Sequence, residues 1–236
     1  MKGRISSFQS MGAVDGPGIR SVIFMQGCPL RCAYCHNPET WEFGGGSDAT
    51  VDELVRKVER FRSYIIKKGG VTLSGGEPTA QPEFAAELLR AFKARGYHTA
   101  LDTSGIYGAA RSEVVLRYTD LVICDIKFTT EEGYAKYCHG SLAPVLEFIA
   151  LAAQMKIPLW VRQVIVPGIN DTAQEAAALG ALARTFPNLE RIELLPFRKM
   201  CAVKYENLGI DFALKDYPEC PNDRAAELQK IARENG

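Results

Sequence analysis

Cys28, Cys32 and Cys35 stand within eight residues, in the run Gln26-Gly27-Cys28-Pro29-Leu30-Arg31-Cys32-Ala33-Tyr34-Cys35-His36-Asn37. Three thiolates so spaced can hold three irons of a cubane iron–sulfur cluster and leave the fourth without a protein ligand. Such clusters ordinarily take four thiolates. A site one ligand short is built to bind something else on its last iron.

Three other chemistries use the same residues. Cys32-Ala33-Tyr34-Cys35-His36 spells the c-type haem attachment pattern. That attachment takes place outside the cytoplasm, and Met1 to Ser10 carries no apolar signal-peptide core. Zinc prefers a closed tetrahedron of Cys and His, and no second C-x-x-C or H-x-x-x-H pair exists to close one. Disulfides fail on parity, because seven cysteines leave one over and nothing marks secretion. The remaining Cys124, Cys138, Cys201 and Cys220 are scattered singly and read as buried small hydrophobes or incidental thiols.

The elements that must position these thiols come from one domain, residues 1–236, long enough to bury a substantial core. Hydrophobic residues make up 47%, which fits a soluble globular chain rather than a disordered one. Lys+Arg and Asp+Glu both number 28, so no net field recruits nucleic acid or an anionic membrane. No apolar run has the length of a membrane span. Free thiols and an oxygen-sensitive cluster place the chain in a reducing cytoplasm.

Strands are predicted at Arg20–Met25, Gly70–Leu73, His98–Leu101, Leu121–Cys124, Leu159–Val166 and Arg191–Leu195. Val51–Lys68 reads as one helix, with Val51, Leu54, Val55, Val58, Phe61 and Ile65 on a single face. Thr50 and Glu53 supply its capping box. A second helix starts at Pro82, and others are expected at Ser112–Arg117, Pro144–Gln154, Thr172–Thr185 and Asp223–Glu234. Strands alternating with helices predict an α/β fold with a parallel sheet. The ligand site of such a sheet lies at the carboxyl ends of its strands, whether it is a partial barrel or doubly wound.

Polar motifs follow those strand ends. The first strand runs into the cysteine loop, and the second ends in Ser74-Gly75-Gly76-Glu77-Pro78, where two glycines let a ligand approach the backbone. The third ends in Asp102-Thr103-Ser104-Gly105, the fourth in Asp125-Ile126-Lys127, the fifth in Val166-Pro167-Gly168. Singly, Asp102 and Asp125 serve as well as helix caps. Together at one rim they can hold a ribose, an ammonium group or a small cation.

C-x-x-x-C-x-x-C followed by Gly-Gly-Glu-Pro resembles the radical S-adenosylmethionine enzymes. The likeness extends through Val14-Asp15-Gly16-Pro17-Gly18-Ile19-Arg20, Leu101-Asp102-Thr103-Ser104-Gly105, Asp125-Ile126-Lys127, Val166-Pro167-Gly168 and Glu193-Leu194-Leu195-Pro196. Over roughly residues 3 to 197 it is similar to the glycyl-radical-enzyme activases, and the last forty residues match more weakly. No cysteine falls between His36 and Ser74, which excludes extra clusters there and favours the single-cluster branch that acts on pyruvate formate-lyase.

The resemblance implies a partial (β/α)6 barrel with a short C-terminal helical extension. It implies that Cys28, Cys32 and Cys35 ligate one [4Fe–4S] cluster whose fourth iron is chelated by S-adenosylmethionine. Tyr34, Cys35 and His36 would lie against the nucleotide, with Gly75, Gly76 and Glu77 at the methionine end. Asp125, Ile126 and Lys127 would line the other side, and Asp102, Thr103 and Asp125 would form a monovalent-cation site. Asp15 would lie where the partner's glycine loop enters. In place of the family's histidine two residues after Leu-Leu-Pro stands Arg198, which can hydrogen-bond and stack but cannot accept.

The implied reaction is reductive cleavage of S-adenosylmethionine and hydrogen abstraction from a glycine of the partner protein. Flavodoxin or ferredoxin is the expected donor, and a monomer the expected state. Two alternatives stand beside it: an activase of another glycyl radical enzyme or a radical enzyme with a small-molecule substrate, and a non-enzymatic iron–sulfur or zinc module. Cleavage of S-adenosylmethionine by the reduced protein separates enzyme from module.

Overall fold

The computed structural model describes residues 1–234. Eight strands form one sheet in the order β3-β1-β2-β4-β5-β6-β7-β8. They are β1 (Lys2–Gly12), β2 (Arg20–Met25), β3 (Ser47–Thr50), β4 (Gly70–Gly75), β5 (Thr99–Thr103), β6 (Leu121–Asp125), β7 (Leu159–Ile165) and β8 (Leu189–Pro196). From β2 through β8, skipping β3, every neighbour is parallel. These six are the predicted strands, shifted by at most a few residues at their ends.

The antiparallel edge made by β1 and β3 was not among the expected strands. Its segments are short on core residues: β1 alternates half-buried and exposed positions with only Ile5 and Gly12 fully buried. Among the described residues β3 and β8 are not paired, so the sheet is open, as a partial barrel is.

The helices are α1 (Val51–Glu59), α2 (Arg62–Ile65), α3 (Pro82–Lys93), α4 (Gly108–Leu116) and α5 (Glu131–Cys138). They continue with α6 (Ala143–Gln154), α7 (Ala173–Arg184), α8 (Ala202–Leu208) and α9 (Asn222–Glu234). Thr50 and Glu53 form the expected capping box, with Glu53 N–H donating to Thr50 Oγ1 at 3.2 Å and Thr50 N–H to Glu53 Oε2 at 2.7 Å. The single helix expected over Val51–Lys68 is instead two. Phe61 leaves helical geometry (φ −110°, ψ 7°) and its ring meets Phe8 of β1 with centroids 6.3 Å apart.

The two faces of the sheet differ in kind, because successive side chains of a strand point opposite ways. Ile23, Leu73, Leu101, Val122, Val161 and Leu194 face the helices and belong to the large core. The other face carries a small apolar cluster of Ala100, Leu121, Ile123 and Trp160. In the row beyond it Asp125, Arg162 and Glu193 lie side by side on β6, β7 and β8. A polar concave surface therefore sits inside an apolar shell. No helix among the described residues is long and apolar enough to cross a membrane.

Candidate functional site

The cysteine loop leaves β2 at Met25 and is closed on itself by backbone bonds. Gly27 N–H donates to Thr40 O at 2.8 Å and Cys28 N–H to Trp41 O at 3.2 Å. The Gly75-Gly76 turn is pressed against it: Gly76 N–H reaches Met25 O at 2.9 Å and Glu77 N–H reaches Gly27 O at 2.8 Å. A Cβ on Gly76 would stand 2.4 Å from Gly27 O, so only glycine permits this approach. These two N–H groups thus hold the cysteine loop, where the sequence had suggested that they face a ligand.

Glu77 is fully buried and its carboxylate is saturated by protein donors. Oε1 accepts from Thr79 N–H and from the Thr79 and Thr103 hydroxyls, and Oε2 from Ser104 N–H and its hydroxyl, all within 2.6–3.1 Å. Glu77 therefore ties the β4 turn to the β5 turn.

The three motif thiols share one environment. Burial pushes the Cys28 thiol up to about 12, with Glu77, Cys32 and Cys35 adding to the effect. Burial and the neighbouring Cys32 push Cys35 up to about 11, while a hydrogen bond from Trp41 Nε1–H to its Sγ at 3.3 Å acts the other way. Crowded, buried thiols hold their protons at neutral pH until cations replace them. That donor set fits a cluster with one thiolate on each of three irons. Among the described residues no three His, Cys, Asp or Glu side chains converge as they would around a single ion.

Cys138 adjoins this group, which its isolated place in the sequence did not suggest. Arg31 N–H donates to Cys138 O at 2.9 Å and Ala33 N–H to Tyr137 O at 2.8 Å, so the loop caps the carboxyl end of α5. The neighbouring Cys138 and Cys32 thiols act on each other, raising Cys32 and lowering Cys138. The Tyr34 hydroxyl also lies 3.9 Å from Cys138 Sγ, its ring buried, whereas His36 is exposed.

The C-terminal segment clamps the same loop from the other side. Lys204 Nζ donates to His36 O at 3.1 Å, Asn37 Oδ1 at 2.8 Å and Glu39 Oε1 at 2.6 Å. The Tyr205 hydroxyl donates to Cys35 O at 3.0 Å. Arg198 takes no part in this. Its guanidinium bonds Cys220 O at 2.7 Å and Asn222 Oδ1, with Glu219 at 3.7 Å. All three acceptors lie within the C-terminal segment and surround a side chain that can only donate.

On the concave face, Ser74 donates its hydroxyl to Asp102 Oδ2 at 2.7 Å, and Lys127 Nζ reaches Asp125 Oδ2 at 2.5 Å. Burial opposes the Lys127 charge, yet Asp125 and Cys32 outweigh it and hold the ammonium well above its ordinary range. Ile126 O accepts from the Gln163 amide at 3.1 Å. Arg162 donates to Glu193 Oε2 at 2.8 Å and to Val14 O at 2.6 Å, which ties the Asp15 loop over this face. Asp15 O accepts the Thr72 hydroxyl at 2.7 Å, and burial raises the Asp15 carboxyl against the pull of Arg162 and Arg20.

Burial and the nearby Asp125 push the Asp102 carboxyl up to about 6 from 3.8. The folded protein thus binds this proton more tightly than the unfolded chain, so stability is lost as pH rises from 3.8 to about 6 and the loss is complete above. Asp102→Asn is expected to stabilise the cluster-free protein above pH 6 by about 1–3 kcal/mol. The gain should grow between pH 4 and 6 and then level off in thermal unfolding. A gain independent of pH would show an unshifted carboxyl.

The expected site residues therefore split. Cys28, Cys32, Cys35, Tyr34, Gly75, Gly76, Glu77 and Lys127 gather around the cysteine loop. Asp102, Asp125 and Asp15 share the concave face, and Thr103 turns its hydroxyl to Glu77. Arg198 stands apart. Sequence reading passed over Trp41, Tyr205, Lys204 and Arg162. Only Arg162 carried a signal, as a charge two residues from Trp160 inside an apolar strand.

A profile of the Radical SAM superfamily matches residues 22–179. A pyruvate formate-lyase-activating enzyme of Clostridium pasteurianum is 42% identical over 233 residues, 98% of each chain. One from Staphylococcus epidermidis is 38% identical over 247 residues, covering 100% of this chain and 97% of the relative. In fold, a domain of a pyruvate-formate lyase-activating enzyme from Bacteroides vulgatus superposes with TM-score 0.58 at 22% identity, over 71% of this chain and 95% of that one.

Proposed function

Since the chain belongs to the radical SAM superfamily, among the pyruvate formate-lyase-activating enzymes, we propose that it installs a radical on a glycine of a partner enzyme, pyruvate formate-lyase. The observation that carries this reading is the three-thiol loop at the end of β2, in a chain alike over its whole length to such activating enzymes. When bound, a [4Fe–4S] cluster with S-adenosylmethionine supplies one-electron cleavage of the sulfonium and removal of a hydrogen atom from the glycine.

The protein's share is to bind, orient and exclude water. Cys28, Cys32 and Cys35 hold three irons, and the backbone bonds from Gly76 and Glu77 keep their loop against β4. Tyr34, Cys35 and His36 border the nucleotide, with Gly75, Gly76 and Glu77 shaping the methionine end. Asp125, Ile126 and Lys127 form the opposite wall, where the ion pair keeps Lys127 charged. A monovalent cation between Asp102 and Asp125, beside Thr103, would relieve the repulsion that raises Asp102. Asp15 meets the incoming glycine loop. The chain acts as one core with a C-terminal helical extension, monomeric, cytoplasmic and reduced by flavodoxin or ferredoxin.

Anaerobic incubation of the reduced, reconstituted protein with pyruvate formate-lyase and S-adenosylmethionine tests this. A glycyl radical signal in electron paramagnetic resonance is the expected result. Cofactor cleavage with no partner radical would point to another substrate.

Arg198→Ala is expected to leave the S-adenosylmethionine dissociation constant within twofold, because its guanidinium serves Cys220 and Asn222. Titration calorimetry checks this, and a tenfold loss, about 1.4 kcal/mol, would return Arg198 to the cofactor.

A further inference from the structure

Trp41 touches two of the three motif cysteines at once. Its indole N–H points at Cys35 Sγ, 3.3 Å away, and its carbonyl accepts Cys28 N–H at 3.2 Å. We propose that Trp41 is a positioning residue that donates a hydrogen bond to the Cys35 sulfur in the loaded cluster, and that α8 fixes it there, so that the pair sets the cluster's reduction potential. The proposal rests on the cluster reading and adds to it a residue with no thiol and no cofactor contact.

The indole has one donor and no acceptor, and that donor is directed at sulfur. Its ring is held on two sides. Tyr205 of α8 meets it edge-on, centroids 5.9 Å apart at 83°, while the Tyr205 hydroxyl bonds Cys35 O at 3.0 Å. The Arg31 guanidinium lies 5.1 Å from the ring centre and also donates to Cys28 O at 2.8 Å. Lys204, one residue before Tyr205, binds three acceptors between His36 and Glu39. Sulfur, ring and backbone are therefore fixed together, not left to a mobile side chain.

Reduction adds one negative charge, shared over the cluster and its thiolates. An N–H donor stabilises the reduced state more than the oxidised one, since hydrogen bonds to the sulfurs are among the factors that set these potentials. Removing it must make the cluster harder to reduce.

The test is a potentiometric titration of the reconstituted full chain without S-adenosylmethionine, followed by electron paramagnetic resonance. Trp41→Phe keeps a ring and loses the N–H. It is expected to lower the reduction equilibrium constant at least threefold, a midpoint about 28 mV more negative for one electron. Tyr205→Phe should shift the midpoint the same way by less. After exchange into deuterated water, a pulsed-resonance deuteron coupling of the unsubstituted protein should be missing from Trp41→Phe. If Trp41→Phe cannot retain iron, 3-benzothienylalanine incorporated in place of Trp41 fills the same volume without the N–H and must show the same shift. An unchanged midpoint with the deuteron coupling retained overturns the proposal. Failure of the unsubstituted protein to take up about four irons would instead overturn the cluster reading itself.

Discussion

Replacing any one of Cys28, Cys32 and Cys35 with alanine is expected to abolish cluster retention, from about four irons per chain to near none, and S-adenosylmethionine cleavage with it. The reason is geometric as much as chemical. The loop backbone is pinned by two bonds, Cys28 N–H to Trp41 O and Cys35 N–H to Cys32 O, so a missing sulfur is not replaced by a shift of the loop. Cys124 faces the helix side of β6 within the large core, and Cys201 and Cys220 are buried in the C-terminal segment. Each of these should be dispensable. Cys138 is the demanding control, because its sulfur adjoins Cys32. Cys138→Ala should keep the iron content, and a cluster that persists in Cys32→Ala would show that Cys138 can serve as ligand. Iron and sulfide analysis after anaerobic reconstitution decides each case.

Asp15→Asn should separate the two halves of the reaction. Its carbonyl is anchored by Thr72 and its preceding carbonyl by Arg162, so the amide variant keeps the loop in place. The cluster and uncoupled cofactor cleavage by a strong reductant should survive. Radical installation on the partner, read by electron paramagnetic resonance, should fall at least tenfold, about 1.4 kcal/mol in the barrier. Equal loss of both activities would mean that the loop had collapsed. Full radical transfer would remove Asp15 from the partner's path.

What the sequence disclosed follows from which signals are local. The six parallel strands were legible because each is a short, buried, β-rich run between turn residues. The antiparallel edge was not, since β1 and β3 are half-exposed and owe their place to pairing, β1 with β2 and β3 with β1. The cysteine motif could be read because its three thiols are neighbours in the chain. Its surroundings could not, for Tyr205, Lys204 and Cys138 reach it from more than a hundred positions away. Glu77 was a fair candidate for a ligand by its setting, and only the structure reveals five donors already upon it. The partners of Arg198 could not be read either, since its acceptors lie in the segment where the resemblance weakens.

The distance along the chain between the cysteine loop and α8 also bears on how the protein is made. Cys35 and Tyr205 are 170 residues apart, so on a ribosome adding about 5–20 residues per second the three thiols emerge roughly 10–30 seconds before their clamp. During that interval the loop lacks the Lys204 and Tyr205 bonds that fix its shape, and its thiols are open to oxidation or to stray metals. Iron delivered to the nascent chain meets an unfinished socket. A chain truncated before Ala202 should therefore carry all three cysteines and still assemble the cluster poorly.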